Sequence, residues 1–87
     1  MAAEPTFEWD DAKDRVNQDK HGVSFAEAQR AFLDLSRVIV PDLGHSADEE
    51  RYFCFGWVAG GVLTVRFTWR GEHVRIIGAA AQRKESL

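Results

Sequence analysis

The chain contains a stretch, Val62-Leu-Thr-Val-Arg-Phe-Thr-Trp69, in which apolar and polar residues alternate. Successive side chains of a β-strand point to opposite faces of a sheet, so this period of two predicts a strand with one apolar face and one basic, hydroxyl-bearing face. The apolar set is Leu63, Val65, Phe67 and Trp69. The polar set is Thr64, Arg66 and Thr68, and Arg70 continues it. We expect helices to cover the apolar face.

Strand-like segments flank this stretch, and helical segments precede them. Short turns at residues 59–61 and 70–72 contain glycine and predict antiparallel hairpins between three strands. Asp10 begins a predicted helix over about 10–20, which Gly22 closes, and Ser24 begins a second over about 24–34. The predicted strands cover about 7–9, 37–40, 51–58, 62–69 and 73–79. The order β-α-α-β-β-β-β predicts an α+β domain with two helices packed on a mainly antiparallel sheet.

Length and composition predict a single globular domain over residues 1–87, because 45% of the residues are hydrophobic and 29% are charged. The apolar runs, such as Val38-Ile39-Val40, are far shorter than the roughly 20 residues of a membrane-spanning helix. The first residues lack the basic and apolar regions of a secretory signal. Cys54 is the single cysteine, so it forms no internal disulfide and builds no zinc site alone. We therefore expect a protein of the reducing cytoplasm.

The net charge of -3 conceals a strong asymmetry along the chain. Residues 1–50 contain five Lys and Arg against twelve Asp and Glu, whereas residues 51–87 contain six against two. The second part is therefore a basic segment within an acidic protein, and a polyanion can bind there although the global charge is negative. The alternative is that opposite charges simply occupy opposite faces of the domain.

Five short elements occur along the chain in a characteristic order. They are Phe7-Glu8-Trp9-Asp10, Lys20-His21-Gly22-Val23-Ser24-Phe25, His45-Ser46 followed by Glu49-Glu50-Arg51, Thr68-Trp69-Arg70, and Arg75-Ile76-Ile77-Gly78-Ala79. Together they resemble the BrnT family of bacterial type II toxins, and the resemblance extends from about Phe7 to Lys84. Each element alone is a weak signal, and their combination is specific.

The resemblance implies a RelE-like fold and an endoribonuclease that cleaves RNA and arrests translation and growth. It also implies neutralisation by a BrnA-like antitoxin with a ribbon-helix-helix part, so the toxin meets DNA only through that antitoxin. No cofactor is implied. The sequence departs from the family after the last strand, where many relatives carry an arginine in place of Ala80 and a C-terminal tyrosine that is missing here. Either Arg83 and Lys84 take over the basic role, or the activity is weakened.

Metal-independent RNA cleavage needs a proton acceptor for the ribose 2′-OH, cations that stabilise a phosphorane-like transition state, and a proton donor for the leaving 5′-oxygen. Arg70 and Arg75 are the first candidates for the cations, because a guanidinium binds phosphate oxygens in bidentate geometry. His21 and Glu50 are the candidates for proton transfer, and a helix C-terminus favours the imidazolium form of histidine. The residues predicted to contact RNA are Lys20, Arg51, Arg66, Thr68, Arg83 and Lys84. No metal-binding residue is predicted.

Simpler roles stay open for these residues. His21 can cap the first helix, Glu50 can form a surface ion pair with Arg51, and the arginines can serve solubility on a solvated sheet face. The aromatic residues are assigned mainly to the core or to the antitoxin interface, with base stacking as the alternative. Two other functions also stay open. One is a catalytically degenerate toxin homologue that binds the antitoxin and regulates its operon, which Ala80 motivates, and the other is a small metalloenzyme.

Overall fold

A computed structural model describes residues 6–45 and 49–82. In chain order its elements are β1 (Thr6–Glu8), α1 (Asp11–His21), α2 (Phe25–Ala28), a 3₁₀-helix (Gln29–Leu33), β2 (Val38–Pro41), a second 3₁₀-helix (Leu43–His45), β3 (Arg51–Val58), β4 (Gly61–Arg70) and β5 (His73–Ala81). The strands form one sheet in the order β1-β5-β4-β3-β2. β1 pairs with β5 in parallel, and all other neighbours are antiparallel. The predicted α+β architecture is confirmed.

The first helix, α1, begins and ends close to the predicted positions. The Asp10 carboxylate accepts hydrogen bonds from the backbone N–H groups of Lys13 (3.1 Å) and Ala12 (2.8 Å), and these bonds lower the pKa of Asp10. At the other end Gly22 adopts a left-handed conformation with a φ of 69°, and its N–H donates to the Gln18 carbonyl at 2.8 Å. Glycine adopts this conformation without steric penalty, so helix α1 stops there.

The second predicted helix, over 24–34, is correct at its start and wrong in its length. Ser24 accepts a hydrogen bond from the Glu27 N–H at 3.0 Å and caps α2, but α-helical geometry ends at Ala28. The chain then tightens into the first 3₁₀-helix, whose Ala31 is fully buried against β3. Neither this segment nor α1 is long and apolar enough to cross a bilayer, and the same holds for every helix within residues 6–45 and 49–82.

The sheet has two faces of different character, as the alternation in β4 predicts. Leu63, Val65 and Phe67 are buried, with exposures of 4%, 0% and 0%, and belong to the hydrophobic core. α2 and the first 3₁₀-helix pack on this side. Trp69 continues the same set but is 48% exposed. The opposite side, which we call the open face, carries Arg51, Phe53 and Phe55 of β3, Thr64, Arg66 and Thr68 of β4, and Arg75 and Ala80 of β5.

The edge of β5 is completed by a strand at one end and by a helix at the other. Thr6, Phe7 and Glu8 of β1 pair with His73, Val74 and Arg75. Farther along β5, the buried Asn17 of α1 takes the place of a neighbouring strand, because its amide donates to the Ala79 carbonyl at 2.8 Å and accepts from the Ala79 N–H at 3.2 Å. α1 is therefore held beside the sheet and forms a wall along the open face.

Candidate functional site

A groove of about 560 Å³ lies between α1 and the open face. Its volume is within the range of about 300–1,000 Å³ that is typical of small-ligand sites. The lining residues on the helix side are Ala12, Lys13, Val16, Asn17, Lys20 and His21. Those on the sheet side are Phe53, Thr64, Arg66, Ile77, Gly78, Ala79 and Ala80. A second hollow of about 510 Å³ shares Lys20, His21 and Ala80 with the groove and extends it to Ala81.

The helix side of the groove carries two lysines. Lys13 and Lys20 are seven residues apart, which is close to two helical turns, so both side chains lie on the same face of α1. Both are exposed, and neither forms an ion pair with any residue in 6–45 or 49–82. Their charges are therefore available to an anionic ligand. His21 follows Lys20 as the last residue of α1 and lines both hollows.

The floor of the groove holds a positioned arginine on an aromatic ring. The guanidinium of Arg66 lies 5.6 Å from the centroid of the Phe53 ring, on which it packs as a cation–π pair. The Arg66 Nε is 3.6 Å from Oδ2 of Asp42, whose side chain is only 7% exposed. The guanidinium group of Arg66 therefore has a largely buried carboxylate near its Nε and an aromatic ring near its Cζ. Arg66 itself is 37% exposed and faces the groove.

A row of paired residues crosses the sheet next to the groove. Arg51 pairs with Thr68 and Thr68 with Arg75, so these three positions lie side by side on neighbouring strands. Arg75 donates to Glu8 of β1 at 2.9 Å. Arg70, at the end of β4, lies 3.7 Å from Glu49. The Arg70–Glu49 pair is the more exposed of the two, and exposed ion pairs contribute little to stability, so a phosphate can compete for Arg70. The Arg75–Glu8 pair is part-buried.

Glu50 is held away from the groove. Its side-chain Oε1 accepts a hydrogen bond from the Tyr52 hydroxyl at 3.2 Å, and this bond is the main cause of a raised pKa of Tyr52. Tyr52 packs against Phe67 on the helix-covered side of the sheet. The Glu50 carbonyl accepts from the Thr68 hydroxyl at 2.6 Å. Thr68 is only 2% exposed although it lies on the open face, and its hydroxyl hydrogen bond stabilises the start of β3.

The predicted site residues therefore fall into two groups. Lys20, His21 and Arg66 line the groove, whereas the other described members lie towards the far end of the sheet, which begins with the row of Arg51, Thr68 and Arg75 two residues beyond Arg66 on β4. Ala80, which lines the groove with His21, and Arg75 are five residues apart on β5, a distance of about 16 Å along an extended strand. The members at the far end are Glu50, Arg51, Thr68, Arg70 and Arg75. Arg83 and Lys84 lie outside the described residues.

Two residues of the groove were missed by the sequence analysis. Lys13 lies in a helix rich in acidic residues and is absent from the predicted site, although its spacing from Lys20 already places both on one helix face. Phe53 was assigned to the core or an interface, although it has the same parity in β3 as Arg51. Among residues 6–45 and 49–82, no group of three or more His, Cys, Asp and Glu side chains is arranged to hold a metal ion.

These features define a small α+β domain with a cation-lined groove along one uncovered sheet face. The family model described as "Ribonuclease toxin, BrnT, of type II toxin-antitoxin system" matches residues 9–85, so the chain belongs to the BrnT family of ribonuclease toxins. Membership of a type II toxin family implies an RNA target and an antitoxin partner. No curated protein matches the chain.

Proposed function

We propose that this protein is a metal-independent endoribonuclease whose reaction takes place in the groove between α1 and the open face. The observation that carries the proposal is the convergence of Lys20, His21 and Arg66 on this groove. RNA carries one negative charge per nucleotide, and cations on a concave surface concentrate and orient such a ligand. A histidine and two cations that line one groove can supply the proton donor and the charge stabilisation for phosphodiester cleavage through the 2′-OH.

In this proposal the ribose 2′-oxygen attacks the neighbouring phosphorus, a 2′,3′-cyclic phosphate forms, and the bond to the 5′-oxygen breaks. Lys20 and Arg66 stabilise the additional negative charge on the phosphorane-like transition state. His21 donates a proton to the leaving 5′-oxygen from its position at the end of α1, where it lines the groove. A solvent water molecule in the open groove accepts the 2′-OH proton.

The arginines at the far end of the sheet bind the phosphates of flanking nucleotides. Arg75 and Arg70 keep their ion pairs with Glu8 and Glu49 in the free protein and exchange them for phosphate oxygens in the complex. Arg51 lies in the same row, and Arg83 and Lys84 extend the basic segment in sequence. Glu50 and Thr68 hold the start of β3 through their hydrogen bonds.

The experiment is cleavage of a naked RNA by purified protein, with three variants compared at saturating and limiting substrate. His21→Asn lowers kcat by about 100-fold or more, the usual contribution of a general acid, and leaves KM nearly unchanged. Arg70→Ala mainly raises KM, because it removes a flanking phosphate contact. A chelator leaves the wild-type rate unchanged. Loss of cleavage in Glu50→Gln, with His21→Asn active, would move the reaction to the far end of the sheet.

The proposed partner is a BrnA-like antitoxin that covers the open face with acidic side chains. Its ribbon-helix-helix part brings the toxin to DNA, which the toxin does not itself read. Charge complementarity across such an interface accelerates association and excludes wrong partners. The double variant Arg70→Glu and Arg75→Glu therefore weakens the complex sharply in a binding titration with the antitoxin encoded beside this gene. Unchanged affinity would place the antitoxin on another surface.

One observation favours a second candidate function, that of a degenerate toxin homologue that binds the antitoxin and regulates the operon. Ala80 lines the groove and its extension, and the family resemblance implies an arginine at this position. The variant Ala80→Arg distinguishes the two functions. Cleavage that appears only in this variant would identify the wild-type protein as the degenerate form.

A further inference from the structure

We infer that the groove contains a binding site for an unstacked nucleobase, with the Phe53 ring and the Arg66 guanidinium as its platform. This inference rests on the proposed function and adds to it the part of the RNA, other than phosphate, that the protein contacts. It makes Phe53 a substrate-positioning residue. It also predicts that the protein acts on single-stranded RNA, because a base in a duplex does not expose its flat face.

The first argument is the location of Phe53. The core of this domain lies on the other side of the sheet, where Cys54 of the same strand is fully buried. Phe53 instead lies half-buried on the open face, where it lines the groove. Its ring is 6.1 Å from that of Phe55, with an angle of 33° between the two planes. Phe53 therefore presents an aromatic ring to the groove on a face that no described helix covers, whereas Phe55 lies outside the groove lining.

The second argument is the fixed position of Arg66. Asp42 is 6% exposed and its Oδ2 forms an ion pair with the Arg66 Nε at 3.6 Å, while the guanidinium lies 5.6 Å from the Phe53 ring centroid. Nucleobases stack on aromatic rings and on guanidinium planes alike. A guanidinium held in this way needs little reorganisation when a base stacks against it, and its charge stays available to the adjacent phosphate.

The third argument is the arrangement of charge around the platform. Lys13 and Lys20 lie on the opposite wall of the groove, about 10 Å apart along α1, so they contact phosphates of different nucleotides. Val16 lies between them and faces the same groove. An apolar and planar floor with cations at both ends of one wall matches a nucleotide with its two flanking phosphates. An electrostatic site for phosphate alone does not require the apolar floor.

The experiment measures binding of a single-stranded RNA of about a dozen nucleotides that carries 2-aminopurine at its centre. Every ribose is 2′-O-methylated, so the protein does not cleave the probe. Phe53→Leu keeps the apolar volume but removes the π-face, and it weakens binding on the order of tenfold and abolishes the quenching of 2-aminopurine fluorescence. Phe53→Trp restores both. The matched control is Phe55→Leu, the same change on the same face of β3 at a residue outside the groove lining.

A second probe separates stacking from charge. An oligomer of the same length without bases binds to wild type and Phe53→Leu with equal affinity, because its phosphates still meet the lysines. Arg66→Lys keeps the charge and lowers the quenching, which tests the platform through a variant that leaves Phe53 in place. All variants are compared with wild type by circular dichroism first.

The outcomes distinguish failure of this inference from failure of the proposed function. If wild type binds the probe and Phe53→Leu binds and quenches equally well, the base site is wrong and the ribonuclease proposal stands. If the wild-type protein binds neither probe, both are wrong. Equal weakening by Phe53→Leu and Phe55→Leu would also overturn the inference, since the effect would then come from the general apolar surface.

Discussion

Asn17 links α1 to the edge of β5, and its removal tests whether this link holds the wall of the groove in place. Its amide donates to the carbonyls of Ala79 (2.8 Å) and Val23 (2.9 Å), and its carbonyl accepts from the Ala79 N–H (3.2 Å). Asn17 is 8% exposed, so water does not readily replace these bonds. The perturbation is Asn17→Ala, which removes all three hydrogen bonds and leaves the helix backbone intact.

The magnitude follows from these contacts. A net contribution of about 1 kcal/mol per hydrogen bond gives a loss of about 3 kcal/mol for the three bonds. Alanine favours a helix more than asparagine by a few tenths of a kcal/mol, so the expected loss of unfolding free energy is about 2–3 kcal/mol. Domains of this size gain or lose about 4–8 °C in Tm per kcal/mol, which predicts a Tm lowered by about 10–20 °C.

The assay is urea and thermal unfolding, followed by tryptophan fluorescence and circular dichroism. The matched control is Gln18→Ala at the next position, because Gln18 is exposed and makes one solvent-accessible hydrogen bond to Asp14 at 3.2 Å. This control loses no more than about 0.5 kcal/mol. Equal losses of unfolding free energy in the two variants would refute the reasoning. The three buried hydrogen bonds of Asn17 would then contribute no more than the one exposed hydrogen bond of Gln18.

Three further predictions concern stability and reactivity. Gly56→Ala prevents stable folding or lowers the unfolding free energy by about 3 kcal/mol or more, because an added Cβ would lie 2.2 Å from the Ala31 carbonyl oxygen. The control Gly61→Ala is tolerated, because an added Cβ there has no atom within 4 Å. Cys54 is fully buried and burial raises its pKa to about 11, so a thiol reagent modifies it only at the rate of unfolding; rapid labelling of the native protein would contradict this. Hydrogen bonds to Asp34 from the N–H groups of residues 57 and 36 lower its pKa below 3.8. The ionised carboxylate therefore contributes fully to the free energy of unfolding above pH 3.8, and this contribution is lost as the pH falls through the lowered pKa. Asp34→Asn is therefore less stable than wild type near neutral pH, and chemical denaturation at a series of pH values should show the difference shrinking below pH 3.8; a constant difference would be the opposite result.

Local signals predicted most of the fold correctly. The alternation in β4 depends only on the backbone geometry of a strand, and the cap at Asp10 and the left-handed Gly22 depend on residues within one helical turn. The early end of α2 was not predictable in this way. Its continuation as a 3₁₀-helix brings Ala31 against Gly56, a residue 25 positions farther along the chain. Helical periodicity contains no information about such a contact.

The sequence predicted which residues belong to the candidate site better than it predicted which of them lie close together. Lys20, His21 and Arg66 carry chemistry that is visible in the sequence, and the structure places them in one groove. Their convergence with each other, and the separation of His21 from Arg75, depend on the register of β4 against β5 and on α1 lying beside β5 where β1 ends. Register is determined by hydrogen bonds between distant segments.

The sequence by itself determined the order of elements, the two-faced central strand, the helix caps and the concentration of positive charge after residue 50. These features depend on residues that are close in the sequence, because local backbone periodicity and local electrostatics determine them. Only the tertiary structure decided that Lys13 and Phe53 belong to the groove, that Glu50 turns towards Tyr52, and that Thr68 is buried on the open face. The physical reason is that a strand fixes which side of the sheet a residue occupies, whereas packing between remote segments decides which residues it meets there.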